Sequence, residues 1–356
     1  MPTTDPRWVP KSYNALERAA LGLIRDERDL IFVKVAALAT LTLYPLAITL
    51  YLLPSWLTLL LAPVHLVAVY VGFGGRYMLM LHAVCHRALF KREHDWLNLW
   101  IPWVIGPLFG STPTSFYAHH VGMHHPENNL DTDLSSTLPY KRDQFTHFLH
   151  YWARFFWFWM LHLPRYFKVR NRNKLYVSLL VGEVSWACLV AVSFYVDWAA
   201  TLVVLVIPWL IIRWFMMCGN FAQHAFVDVD DANNPYRNSN CLTNTVYNHK
   251  CYNDGYHIVH HVKPTLHWSE MAQWYDDHIE EFARQDAVVF DGLRNNQKIW
   301  FLLMSGNYGV LADHLVDFKG RTRDEKIAFL KSRVQRQRGA IKGFLEREPD
   351  LRAVAS

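Results

Sequence analysis

Residues 56–86 read WLTLLLAPVHLVAVYVGFGGRYMLMLHAVCH. From Trp56 to Leu81 the run is apolar, and Arg76 near its far end is its one Lys or Arg. A bilayer crossing takes about 20 such residues, so the run qualifies. It leads straight into His82-Ala-Val-Cys-His86, whose i, i+4 spacing puts two imidazoles on one helical face. The fourth apolar run of the chain ends in the same way, on His224.

Upstream lies another apolar run, Leu30 to Leu53, interrupted by Lys34 and broken by Pro54. The short turn between the two runs predicts a helical hairpin. A second hairpin follows, with arms Tyr176 to Val196 and Ala199 to Cys218 and Asp197 and Trp198 at its turn. Neither turn carries Lys or Arg. The N-terminal segment carries Arg7, Lys11, Arg18, Arg25 and Arg28, and the loop between the hairpins is rich in both residues. Positive charge stays on the cytoplasmic side of a membrane, so both termini and the central loop are expected there.

Two shorter apolar stretches fall in the central loop. Trp96 to Gly110 contains Pro102 and Pro107 and is too short to span; Phe148 to Phe167 is rich in Trp and Phe but holds Arg154. Both read as interfacial or re-entrant helices, with a buried core helix as the alternative for one of them. After Trp268 the pattern is of amphipathic helices, ending in a basic stretch around Lys326 to Lys342. The expected organisation is a cytoplasmic N-terminal segment (1–29), a membrane domain (30–268) and a cytoplasmic helical tail (269–356). The expected fold is all-α: an integral membrane four-helix bundle of two hairpins under a helical cytoplasmic cap.

Composition bounds this reading without proving it. The chain has 356 residues and is 52% hydrophobic, only somewhat above the roughly 45–50% of soluble proteins. The argument therefore rests on how apolar residues are grouped. A net charge of +5 is too small to argue for nucleic acid, and no recognition module accompanies it; it suits anionic lipid. Five cysteines with no C-x-x-C pair argue against a disulfide framework. Neither a secretory signal nor a lipidation motif is evident.

The unusual residue is histidine, with 19 copies. Beyond His82 and His86 come His119-His120-Val-Gly-Met-His124-His125, then Asn220-Phe-Ala-Gln-His224, then His257-Ile-Val-His260-His261. Any one of these could be polar decoration at a membrane interface. Four at helical spacings, all assignable to one side of the membrane, point to metal binding. A metal ion takes about four to six ligands, so nine imidazoles suit two ions. Within the second cluster, both His119 and His120 are candidates; i, i+4 spacing to His124 favours His120. No cysteine has the spacing of a structural zinc site. Imidazole alone suits Zn, Cu, Ni or Fe, and spacing does not choose. His249 and His267 flank the third box and fit no motif.

The series H-x-x-x-H, H-x-x-x-H-H, N-x-x-x-H, H-x-x-H-H resembles the membrane fatty-acid desaturases, over about Leu30 to His267. The resemblance implies an enzyme with two iron ions held by His82, His86, His120, His124, His125, His224, His257, His260 and His261. Asn220 would be a water-linked group. It implies O2 as co-substrate and a fatty acid, acyl thioester or lipid as substrate. Absence of a fused His-Pro-Gly-Gly segment implies an external electron donor, a ferredoxin or cytochrome b5. The expected reaction is desaturation of an acyl chain. The same site in relatives hydroxylates, or decarboxylates a free acid to a 1-alkene, and the ligand set does not separate the three. A membrane zinc hydrolase and a non-catalytic scaffold are the rival classes. Because charge inside a membrane is costly, Glu183 and Arg213, at similar depths in the third and fourth runs, are expected to pair. Arg76 and Arg213 are also candidates to bind a substrate carboxylate, against the plainer reading of helix packing and snorkelling. Multi-pass insertion in a bacterial inner membrane is the expected location.

Overall fold

The computed structural model describes residues 2–337. The described chain is mostly helical, with two short strands. The end of the expected basic stretch, past residue 337, and the rest of the tail lie outside the described residues. Four helices are long and apolar enough to cross a membrane: span 1 (Glu27–Leu52), span 2 (Ser55–His86), span 3 (Asn173–Val196) and span 4 (Trp198–Gln223). Only 22% of the most apolar window of spans 2 and 3 is buried within the protein. Outward-facing apolar surface on that scale needs lipid to cover it.

Spans 1 and 4 start where the sequence offers acceptors to the free N–H groups of a first turn. Asp26 caps span 1 by accepting from the Arg28 amide at 3.0 Å, and Asp197 caps span 4 by accepting from Ala200 at 2.7 Å. Span 2 is longer than its apolar run: the helix continues through the first histidine pair to His86. It contains a π-helical turn over Ala68–Gly74, and span 4 contains another over Leu202–Val206.

The chain divides into two compact units. One holds Trp8–His119 and Asn173–Arg213, with spans 1 to 3 and the first part of span 4. Its irregular segment, residues 92–109, is a succession of 3-10 and π turns whose Ile101, Ile105, Leu108 and Phe109 are buried. Trp96, Leu99 and Val104 of the same stretch are exposed, so it is buried on one side only. Phe109 stacks on Tyr77 of span 2 at 4.0 Å between ring centroids. At the end nearer the turns, the Ser55 hydroxyl donates to Asp197 at 3.3 Å, and Tyr51 and Thr201 share a 3.1 Å hydrogen bond.

Among the described residues, the other unit holds 2–7, His120–Arg172 and 214–337. Its longest helix, Phe145–Val169, covers the expected interfacial stretch. Phe148, Tyr151, Phe155, Trp159, Leu163 and Tyr166 are buried at three- and four-residue intervals, while Trp157 and Leu161 are exposed. That is the one-sided pattern of an amphipathic helix. The unit also departs from an all-helical plan. Strand β1 (Asn240–Thr243) pairs in parallel with β2 (Val288–Asp291). Leu242, Val288 and Phe290 of this pair are buried with Ile299, Leu303 and Leu311 from the following helices. Four-residue strands are too short to leave a periodic signal in sequence.

Candidate metal centre

Seven of the nine candidate histidines lie in the second unit, and the fold gathers them into two groups. His124, His224, His257 and His261 place one ring nitrogen each within 4.8 Å of all the others, and so do His120, His125 and His260 among themselves. In the group of three, the Nε2 atoms stand 3.0 Å (His125–His120), 2.8 Å (His125–His260) and 3.4 Å (His120–His260) apart. In the group of four, His257 Nε2 lies 3.1 Å from both His224 Nε2 and His261 Nε2. Nitrogens about 2.1 Å from one ion stand about 2.9 Å apart at right angles and about 3.4 Å apart at tetrahedral angles. The observed spacings are those of ligands around a shared point. Hydrogen bonding alone cannot account for the triangle. A neutral ring nitrogen either donates or accepts, and three mutual pairs always leave one pair alike. The donor set thus fits metal ions, and its chemistry admits Fe, Zn, Cu or Ni.

Local backbone explains the sorting. Residues His120–His124 form a π-helical turn, so the residue stacked over His120 is i+5, His125, rather than i+4. The expectation that i, i+4 spacing aims His120 and His124 at the same ion is corrected: they join different groups. His120 is a member of a group and the buried His119 is in neither. In the ordinary helix His257–Val262, the i, i+4 pair His257 and His261 stays together and His260 turns to the other group.

Two ligand tautomers are fixed from behind. His124 Nδ1 donates to Asp133 Oδ2 at 2.6 Å, with both side chains buried. Asp133 also accepts from the amides of Asn129 (3.0 Å) and Ser135 (2.7 Å), which holds its carboxylate still. His224 Nδ1 donates to the Asn238 carbonyl at 2.8 Å. Each bond leaves Nε2 as the atom able to bind a metal, an arrangement common to histidine metal sites. Burial, followed by the neighbouring His124, pushes His224 down to about 3, and burial likewise holds His261 well below its ordinary value. Both rings are therefore neutral and able to bind metal.

Asn220 donates through Nδ2 to Tyr151 Oη (2.7 Å) and the Ser135 carbonyl (3.2 Å). Its Oδ1 is the atom left for a water. Past the second box, the buried Glu127 takes hydrogen bonds from Tyr166 and Thr132 and an ion pair from Arg170 at 3.1 Å. These bonds tie the box to the helix Phe145–Val169.

In the other unit, His82 and His86 sit in the last turns of span 2 with ring centroids 5.5 Å apart. Glu183 and Arg213 pair as expected, at 3.8 Å, and the Arg213 guanidinium lies 4.7 Å from the Trp209 ring. Arg76 is exposed on span 2. His249 is exposed, and His267 caps a short turn by accepting from the Ser269 amide at 3.2 Å.

The family model for fatty acid desaturases matches residues 23–292. The chain belongs to the fatty acid desaturase family. With its four apolar helices it is a membrane protein, and the family is one of oxidoreductase enzymes acting on fatty acyl chains. No individual curated protein and no solved structure matches the chain at a significant level. The match covers all four spans and every histidine box of this desaturase-family chain. Asp133 and Asn238 went unnoticed in the sequence because they bond the histidine rings from loop positions with no helical spacing to mark them.

Proposed function

We propose that this protein is a di-iron oxidase that desaturates a fatty acyl chain in an O2-dependent reaction. The observation that carries the reading is the pair of histidine groups with converging Nε2 atoms, two of them set by Asp133 and the Asn238 carbonyl. The proposed ligands are His82, His86, His120, His124, His125, His224, His257, His260 and His261, with Asn220 holding a water. Two iron ions bound there would supply O2 reduction and hydrogen abstraction from unactivated methylenes, which no side chain can perform. The protein's share is to hold neutral imidazoles, exclude water and set which carbons face the site. That register decides between an alkene, an alcohol and loss of CO2.

The two hairpins, with both termini and the histidine boxes cytoplasmic, follow from the distribution of Lys and Arg. The absence of Lys and Arg from both turns supports this orientation, and an inner bacterial membrane is the proposed location. Electrons come from a separate ferredoxin or cytochrome b5. Arg76 and Arg213 are proposed contacts for a substrate carboxylate. Of the two, Arg76 has the stronger claim, because Glu183 already matches the charge of Arg213.

The test uses detergent-solubilised protein loaded with iron, given free fatty acids or acyl thioesters, O2 and a reducing partner. Products are identified by gas chromatography–mass spectrometry. An internal alkene of unchanged carbon number is the expected result. A 1-alkene one carbon shorter, or an alcohol, keeps the site and changes the reaction. O2-independent hydrolysis by a zinc-loaded protein overturns the reading.

A further inference from the structure

Glu183 lies near the middle of span 3 and is buried. An ionised group there is costly, and Arg213 balances its charge. Yet the 3.8 Å separation of that pair is well beyond the roughly 2.7–2.9 Å of a charge-assisted hydrogen bond. The hydrogen bonds go elsewhere: Glu183 Oε1 accepts from the hydroxyls of Thr112, at 2.8 Å, and Ser115. Both belong to the short segment 110–115.

That segment is fastened to spans 3 and 4 at further points. A Cβ on Gly182, next to Glu183, would lie 1.8 Å from the Pro113 carbonyl oxygen, and one on Gly110 would lie 2.1 Å from the Trp209 amide nitrogen. Only glycine permits these approaches. Thr114 donates to the Ser178 carbonyl at 2.7 Å. Its φ is 65°, left-handed backbone that a β-branched residue adopts only where its surroundings impose it. A salt bridge between helices needs none of this. Immediately beyond, Ser115 opens the helix Ser115–His119, which runs on into the π turn His120–His124 of the second histidine box.

We propose that Glu183 is a positioning residue: by holding Thr112 and Ser115 it fixes where the helix of the second histidine box begins, and so where His120, His124 and His125 point. This rests on the metal-site reading above.

The test variant is Thr112→Val with Ser115→Ala, which removes the hydroxyls and leaves the Glu183–Arg213 pair and the glycine contacts intact. Three quantities are compared in the full-length protein: hydrogen exchange over residues 110–120, thermal unfolding, and metal affinity by chelator competition. The expected result is faster exchange confined to 110–120 and about ten-fold weaker metal binding, with unfolding close to wild type. Glu183→Gln combined with Arg213→Gln keeps an acceptor for both hydroxyls without a lone cation. It should hold exchange and metal affinity near wild type. Unchanged exchange and affinity in the first variant would overturn the proposal. So would a loss of protection spread over the whole chain, which marks plain fold stability. Exchange needs no metal, so an iron-free wild-type protein would sink the metal reading while leaving this test standing.

Discussion

At the scale of residues, the histidine boxes stood out and what orients their rings did not. His124 and His224 are held in one tautomer because Asp133 and the Asn238 carbonyl take the other ring proton. Asp133→Asn keeps the shape but loses the charge and can present its amide N–H₂ to Nδ1. Metal affinity should fall about 10–100-fold, read by chelator competition, with circular dichroism unchanged. Wild-type affinity would show that Asp133 has no part in the site. The pH response follows from burial. His224 is held at about 3 when folded, against about 6.5 in an unfolded chain. Between those values the unfolded chain takes up a proton that the folded protein refuses. Stability is therefore present above about pH 6.5 and lost as pH falls toward 3. The melting temperature of metal-free protein should drop across that window. A flat profile would contradict a neutral, desolvated His224.

At the scale of elements, a reading by apolar length and helical spacing found the four spans because their apolar runs are long and their breaks are sharp. It carried the helix past Leu81 through the histidine pair, and the helix does run to His86. It mis-sorted the second box. Spacing assumes an α-helix, and the π turn at His120–His124 has no signature in composition. That turn carries one residue more than an α-turn. Inserting an Ala after Gly122 should put His125 one residue further from His120, swing it off that face and abolish metal binding at the group of three. Metal bound per chain should then fall by about half, by elemental analysis. Retention of full metal content would show that the π turn is incidental.

At the scale of the whole molecule, the membrane character was legible because outward-facing apolar length is a property of sequence. The β1–β2 pair was not. Its strands are four residues each, and the 44 residues between Thr243 and Val288 conceal the pairing. Its burial is substantial: Phe290 is fully buried among Ile299, Leu303 and Leu311. Phe290→Ala should cost about 3–5 kcal/mol, seen as loss of folded protein in detergent by size-exclusion chromatography. Unchanged yield and melting temperature would contradict a core built on the sheet.

The central claim is that two histidine groups hold two iron ions. The measurement that tests it most directly is iron and zinc per chain, by inductively coupled plasma mass spectrometry. It would be made on protein purified without added metal, beside a His257→Ala variant aimed at the group of four. Two irons per chain, falling to one in the variant, is the predicted result. One metal or none in the wild type, or zinc in place of iron, would contradict it.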